Sequence, residues 1–279
     1  MPARERARRG PDVTSSGGTT ARRQLLLCAG FCILGAGMIA AAEAGQPAAS
    51  GRNSPTTSRA SRHAVDRRAV SRVNTWRPVL ALTFDDGPDP DFTPAVLDIL
   101  GRHEARATFF VIGRNAAKHP DLIQRMLRDG HVVANHTQDH LWLNELDHEA
   151  VQNDVLGGMT TLGTVGAQGS SLFRPPRGWT SPTVVDVVKG VGLRSVFWSD
   201  CIEARLRHGV RPAAEALVGQ AGPGSIILCH DGGSLDGPNP QHIDRSRTVE
   251  ALPLMLEGLR REGLRSVALP ELLRAGRPV

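Results

Sequence analysis

Two adjacent carboxylates, Asp85 and Asp86, stand inside Thr83-Phe84-Asp85-Asp86-Gly87-Pro88, directly after the apolar run Val79-Leu80-Ala81-Leu82. The run reads as a buried strand, and Gly87 and Pro88 stop it, so the pair falls at a strand end. Neighbouring carboxylates repel when both are ionised; either one is pushed toward its protonated form or a cation sits between them. That suits an acid–base pair or a metal site, although Asp-Gly and Gly-Pro also make ordinary turns. His136-Thr137-Gln138-Asp139-His140 adds two imidazoles at i and i+4. On a helical turn these face the same way, at a spacing that can hold one metal ion, though the same spacing occurs on solvated helix faces. Two neutral nitrogens and one carboxylate form a three-ligand set with open positions, as a catalytic zinc site requires, and a related divalent metal also fits.

The elements that must position these groups alternate along the chain. Strand-like runs are Val79–Phe84, Thr108–Ile112, Val132–Ala134, Ser171–Phe173, Arg194–Trp198, Ser225–Cys229 and Arg265–Ala268. Helical stretches lie near 93–103, 116–129, 147–163, 181–190, 212–220 and 248–262, with a short one from Pro270. Parallel strands need crossover helices, so the pattern implies βα units in a single barrel-like α/β domain of about seven parallel strands, with an open doubly wound sheet as the alternative. No Gly-x-Gly-x-x-Gly follows the first strand, which argues against a dinucleotide site. Polar groups cluster just past the strand ends: Asp85-Asp86, His136 and His140, Arg174, Asp200, and His230-Asp231. In a parallel barrel these ends share one face, where active sites sit.

The net charge of +5 is unevenly placed. Residues 1–75 carry 12 arginines against four acidic residues, leaving 21 basic and 24 acidic residues beyond them. The basicity therefore belongs to the N-terminal arm, which weakens a nucleic-acid reading of the domain. The absence of tyrosine, with only four tryptophans, also removes an aromatic platform for single strands. Arg22-Arg23, the apolar run Leu25–Ala42 and the small-residue exit Ala42-Glu43-Ala44 describe a secretory signal over residues 1–44, with a loose twin-arginine character. Uncleaved, the run could act as a marginal membrane anchor. Residues 45–75 read as a disordered basic linker, with folded structure from Trp76 and a catalytic domain over 76–279. Cys28 and Cys32 would leave with the signal; Cys201 and Cys229 remain, as a pair or as two buried thiols.

Taken together, the motifs resemble the polysaccharide deacetylases of the NodB-homology family, carbohydrate esterase family four. Five motifs occur in order across residues 83–231, and Asp244-Arg245-Ser246 through Leu269-Pro270-Glu271 resembles the family's final helix and strand. The resemblance implies a deformed (β/α) barrel, in agreement with the seven strands, and a secreted or wall-associated hydrolase that removes N-acetyl groups from a GlcNAc-containing polymer, peptidoglycan or chitin. It would act as a monomer on acetylated polysaccharide, with no nucleic-acid partner, and with zinc, or cobalt or another divalent ion, as its metal. Asp85 is then the general base and Asp86, His136 and His140 the metal ligands. Arg174 would orient and ionise Asp85, and the backbone N–H of Arg177 would face the developing oxyanion. Asp200 would tune His230, the general acid, and Leu228 would wall the acetyl methyl pocket.

The chain departs from the family pattern in its groove. Arg177 stands where an aromatic is usual, Phe197 and Ala204 where Trp is common, and Glu203 where Asp is common. These changes touch the surface that holds sugar rings more than the chemistry. Arg177 could meet an anionic substrate or simply lie exposed on a loop. Trp142 and Trp179 could each stack on sugar or cap the core, with Trp179 the better candidate beside Arg177-Gly178. His63, His103, His119, His131, His148 and His208 read as surface residues, and His242 sits in a polar loop. Other readings are an acetylxylan O-deacetylase with the same mechanism, a non-catalytic carbohydrate-binding relic, and a metal phosphoesterase. The intact Asp85, Asp86, His136, His140, Arg174 and His230 argue against a relic, and the lack of a richer carboxylate cluster argues against a two-metal phosphoesterase.

Overall fold

The computed structural model describes residues 66–233 and 243–279. The signal segment 1–44, the linker as far as residue 65, and with them Cys28, Cys32, His63 and His242, lie outside the described residues. After a short β1 (Val73–Asn74), strand β2 (Val79–Asp85) runs through the centre of the domain, buried along its whole length. Helix α1 (Thr93–Arg102) leads to β3 (Ala107–Val111), and α2 (Gly113–Lys118) and α3 (Pro120–Arg128) lead to β4 (Val132–Asn135). Then come α4 (His148–Thr164), β5 (Leu172–Phe173), α5 (Pro182–Gly190), β6 (Arg194–Ser195) and β7 (Asp200–Cys201). The chain finishes with α6 (Val210–Gln220), β8 (Ile226–His230), α7 (Ser246–Arg261), β9 (Arg265–Ser266), α8 (Leu269–Ala275) and β10 (Arg277–Pro278).

The parallel strands lie in the order β6-β5-β4-β3-β2-β8-β7, and β9 pairs with the start of β2. This order forces the sheet to curl. β6 and β7 are its two edges, yet only residues 196–199 separate them in sequence. A flat sheet would hold those edges about 29 Å apart at ~4.8 Å per strand, whereas five Cα steps of 3.8 Å reach only about 19 Å. The expected barrel of seven parallel strands is what forms, as a curled half-barrel.

Strand alternation sorts the side chains. Leu80, Leu82 and Phe84 join the core beneath α1, α6 and α7, with Leu97, Leu217, Leu252 and Met255. Val79 and Ala81 point the other way, into the barrel, with Phe110, Ala134, Leu172, Ile226 and Val267. Asp85 shares their phase and lies at the top of that column. Cys229 belongs to the helix-side core, whereas Cys201 is in register with Leu228, one residue away, and so takes the opposite phase. Both thiols are free and buried, which leaves the pairing option unfilled.

Three elements differ from the sequence reading. The helix expected over 116–129 is split at His119, because a residue before proline is pushed out of the α region; His119 has φ −129° and ψ 57°. β7 was not anticipated: it is two residues long and pairs only with β8. The folded chain also starts upstream of Trp76. Val70 and Val73 are fully buried, and the Val70 N–H donates to the Ser195 carbonyl at 3.0 Å while Phe197 N–H donates to the Val70 carbonyl at 2.7 Å. This segment covers the edge of β6, and β1 pairs with β10. Trp76 itself is 86% exposed. His131, expected at the surface, is buried against Phe109, where its Nδ1 accepts the Ala107 N–H at 3.2 Å and burial lowers its pKa to about 4. Among the described residues no helix is long and apolar enough to cross a membrane.

Candidate active site and metal centre

Register brings the reactive groups together. Asp85 ends β2 directly beside His230, which ends β8. Arg174 follows β5 and lies wholly buried inside the barrel. Its guanidinium donates to Asp85 Oδ1 at 2.6 Å, to Thr83 Oγ1 at 2.9 Å, and to the carbonyls of Val196 and Phe197 at 3.1 and 3.0 Å. It also lies 4.2 Å over the Phe110 ring. Burial pulls the Arg174 pKa down, against the charge of Asp85, which pushes it up. A buried cation with this many acceptors has one orientation, and it fixes Asp85 in turn.

The next residue turns sharply. Asp86 has φ 74°, which swings its carboxylate toward β4. Its Oδ1 lies 3.4 Å from His136 Nε2 and 3.3 Å from His140 Nε2. The three ligand atoms lie within 4.8 Å of one another, and all three residues are buried. Asp86 Oδ1 has no hydrogen-bond partner among the described residues, an expensive state for a buried carboxylate oxygen unless a cation takes it. His136 Nδ1 lies 2.7 Å from the Arg174 carbonyl oxygen, so this nitrogen carries the proton and Nε2 is left as the ligand atom. Burial lowers the His140 pKa to about 3, which favours the neutral imidazole that a metal needs. Asp86 is held well below the ordinary carboxylate range; burial opposes this, but the facing imidazoles outweigh it. The donor set fits a single divalent cation.

The two histidines do not meet on a helical turn. Residues 136–140 form a loop in which Thr137 and His140 adopt φ 69° and φ 56°. This corrects the i, i+4 argument: the spacing works because two left-handed residues fold the loop back on itself. Helix α4 approaches it closely at Gly157 and Gly158; a Cβ at Gly158 would meet Asn135 Oδ1 at 2.3 Å.

The partner of His230 is also corrected. Asp200 is turned away, with its oxygens 3.1 and 2.7 Å from Arg205 Nε and Nη2. Glu203 takes the place beside His230, with Oε2 3.2 Å from His230 Nδ1 and Oε1 accepting the His230 N–H at 3.0 Å and the Thr248 hydroxyl at 2.9 Å. Burial alone would raise the Glu203 pKa, but the charge and hydrogen bonding of His230, with the charge of Arg245, together bring it to about 2. His230 answers in the opposite sense: burial lowers its pKa, the charge of Glu203 raises it, and the net shift is upward.

Arg177 is half-buried and not a free loop cation. Its guanidinium stacks 4.0 Å from the Trp142 ring, and Trp142 meets Trp179 edge to face at 4.8 Å. Arg177 and Gly178 both have positive φ, 60° and 68°, and a Cβ on Gly178 would meet Trp198 at 2.8 Å. Leu228 is buried in register with Thr83, one step below His230 on the barrel face. Sequence reasoning passed over Arg245, which donates to the Gly232 carbonyl at 2.7 Å and lies 3.5 Å from Asp86 Oδ2. It also left Asp231 without a role; that residue is fully buried, accepts the Thr93 hydroxyl at 2.6 Å, and has its pKa raised by burial to about 7.

A sequence model of the family described as polysaccharide deacetylase matches residues 72–196. A peptidoglycan-N-acetylglucosamine deacetylase of Bacillus cereus is 39% identical over 198 residues, covering 70% of this chain and 88% of that protein. A chitooligosaccharide deacetylase of Sinorhizobium fredii is 39% identical over 206 residues, covering 73% and 96%. Among solved structures, that of a peptidoglycan N-acetylglucosamine deacetylase superposes with a TM-score of 0.65 at 29% identity, over 76% of this chain and 95% of that one.

Proposed function

The chain belongs to the polysaccharide deacetylase family, and on that premise we propose that it is an exported, metal-dependent enzyme removing N-acetyl groups from a GlcNAc-containing polymer, peptidoglycan or chitin and its oligomers. The observation that carries this reading is the buried Asp86–His136–His140 cluster flanked by Asp85 on Arg174 and His230 on Glu203. The names of its relatives point to the two polymers. The apolar segment Leu25–Ala42 with its small-residue exit supports export.

Asp86, His136 and His140 would hold the cation, zinc or a related divalent ion such as cobalt. When bound, such an ion supplies a Lewis acid that polarises the acetyl carbonyl and acidifies a water. Asp85, fixed by Arg174, accepts the proton of the attacking water. The backbone N–H of Arg177 donates to the developing oxyanion. His230, kept cationic by Glu203, gives its proton to the departing nitrogen, without which an amine cannot leave. Asp200 is relieved of the tuning role and instead anchors the turn after β7 through Arg205. Leu228 walls the pocket for the acetyl methyl, and Trp179, braced by Trp142, offers a face for a sugar ring.

Acetate release from N-acetylated chitooligosaccharides, peptidoglycan and acetylxylan, with and without chelator, tests the proposal. Chelator-sensitive release from a GlcNAc polymer is expected. Release from acetylxylan alone would move the substrate to an O-ester, and activity that survives chelation would remove the metal from the mechanism.

A further inference from the structure

We propose that Asp154, on the inner face of α4, is a positioning residue for the metal ligand His140. The inference rests on the metal-site reading above. The two histidines of the cluster are held differently. His136 is tethered through its own ring, by Nδ1 to the Arg174 carbonyl. His140 Nδ1 is buried with no hydrogen-bond partner among the described residues, so the direction of its ring depends on the backbone of the loop.

That backbone is in an unfavourable conformation. Thr137 and His140 both have positive φ without being glycine, a strained state that persists only where the surroundings impose it. Every N–H from 137 to 140 has an identified acceptor. Thr137 donates to Asn135 Oδ1 at 2.9 Å and His140 to Thr137 Oγ1 at 2.9 Å. The two between them both go to Asp154: Gln138 to its carbonyl at 2.9 Å, and Asp139 to its Oδ1 at 2.8 Å. On the other side, the carbonyls of Thr137 and Gln138 accept from Gly113 and Arg114 at the start of α2, at 2.9 and 3.0 Å. The loop is thus gripped between two helices. Among the described residues, Asp154, 5% exposed, is the one α4 residue whose side chain bonds an N–H adjacent to His140. Asn135 Nδ2, donating to the Val155 carbonyl at 3.0 Å, ties the end of β4, just before the loop, to the same turn of α4.

Residues that orient a metal ligand at one remove change metal affinity by about 10–100-fold when altered. The test titrates metal-free full-length protein with zinc by competition, and with cobalt by its visible spectrum, in the wild type, Asp154→Ala, Asp154→Asn, His140→Ala and Val151→Ala. Val151 is a fully buried α4 residue whose apolar side chain cannot hydrogen-bond the loop, and it serves as the stability control. Asp154→Ala is expected to weaken zinc binding about 10–100-fold and to alter the cobalt spectrum, and Asp154→Asn, which keeps an acceptor oxygen, to recover most of both. Val151→Ala should lower the melting temperature and leave affinity unchanged. If Asp154→Ala is too unstable when metal-free, the rise of its melting temperature with zinc concentration reads the same affinity. Wild-type affinity in Asp154→Ala, or an equal loss in Val151→Ala, would overturn the positioning role alone. Failure of the wild type to bind one equivalent, or binding indifferent to His140→Ala, would overturn the metal site and this inference with it.

Discussion

Asp85 and His230 occupy the same register position on neighbouring parallel strands, β2 and β8. Adjacent strands are ~4.8 Å apart, so the two side chains rise from one edge of the site side by side. Each is tied to a partner of opposite charge: Asp85 to Arg174 at 2.6 Å, His230 to Glu203 at 3.2 Å. One group is thereby equipped to take a proton and its neighbour to give one. Substituting Asp85→Asn keeps shape and an acceptor oxygen but removes the proposed base. Turnover should fall by about 10²–10⁴-fold, the usual worth of a positioned acid or base, while one equivalent of metal still binds. Steady-state rates together with metal content check this, and near-wild-type turnover would remove Asp85 from the base role.

The Glu203–His230 pair makes a prediction with a sign. Burial lowers the His230 pKa, and the charge and hydrogen bonding of Glu203, with the charge of Asp86, together more than restore it. A general acid must be protonated to act, so in the proposed mechanism the His230 pKa sets the alkaline limb of the rate profile. In Glu203→Gln the opposing burial is uncompensated, and the alkaline limb moves to lower pH. Activity at pH 8 should therefore fall more than activity at pH 6, while the acidic limb stays in place. A pH series of kcat/KM reads the shift. An unmoved alkaline limb would mean that Glu203 does not govern the acid. Asp200→Asn, which touches Arg205 and not His230, should leave the limb where it is.

Much of this site was legible from residue types at strand ends, and the failures have particular causes. Asp85-Asp86 could be placed because Val79–Leu82 is an unbroken apolar run stopped by Gly87-Pro88, a pattern that a buried parallel strand imposes. Arg174 and His230 followed from the same logic on β5 and β8. The His136–His140 spacing suggested a helical turn because side-chain periodicity carries no sign of φ. Thr137 and His140 adopt left-handed conformations that only their packing against α2 and α4 selects. The exchange of Asp200 for Glu203 has a similar origin. β7 has two residues and no apolar run, so its register against β8, which decides which carboxylate faces His230, was invisible to pattern reading. Val70 and Val73 escape notice among arginines for the same reason: two buried residues in a basic stretch give no period, yet Val70 covers the edge of β6 and Val73 pairs with β10.

Arg174 carries the last prediction, which separates charge pairing from packing. The residue is fully buried and its partners are Asp85, Thr83 and two carbonyls. Arg174→Met replaces the stem with an apolar chain of similar length but strands the Asp85 carboxylate in the barrel. Removing one member of a buried ion pair costs about 3–5 kcal/mol, chiefly because the other charge is left uncompensated. If that is the source of the loss, then Asp85→Asn in the Arg174→Met background should give part of it back, although Asp85→Asn alone destabilises by breaking the same pair. Urea denaturation of the four proteins in the cycle measures the coupling directly. A double variant no more stable than Arg174→Met would show that the guanidinium holds the barrel through Val196, Phe197 and Phe110, with Asp85 a bystander to its stability. A recovery of 1 kcal/mol or more, on the order expected for contacting charges, would show that the fold and the proposed base depend on the same ion pair.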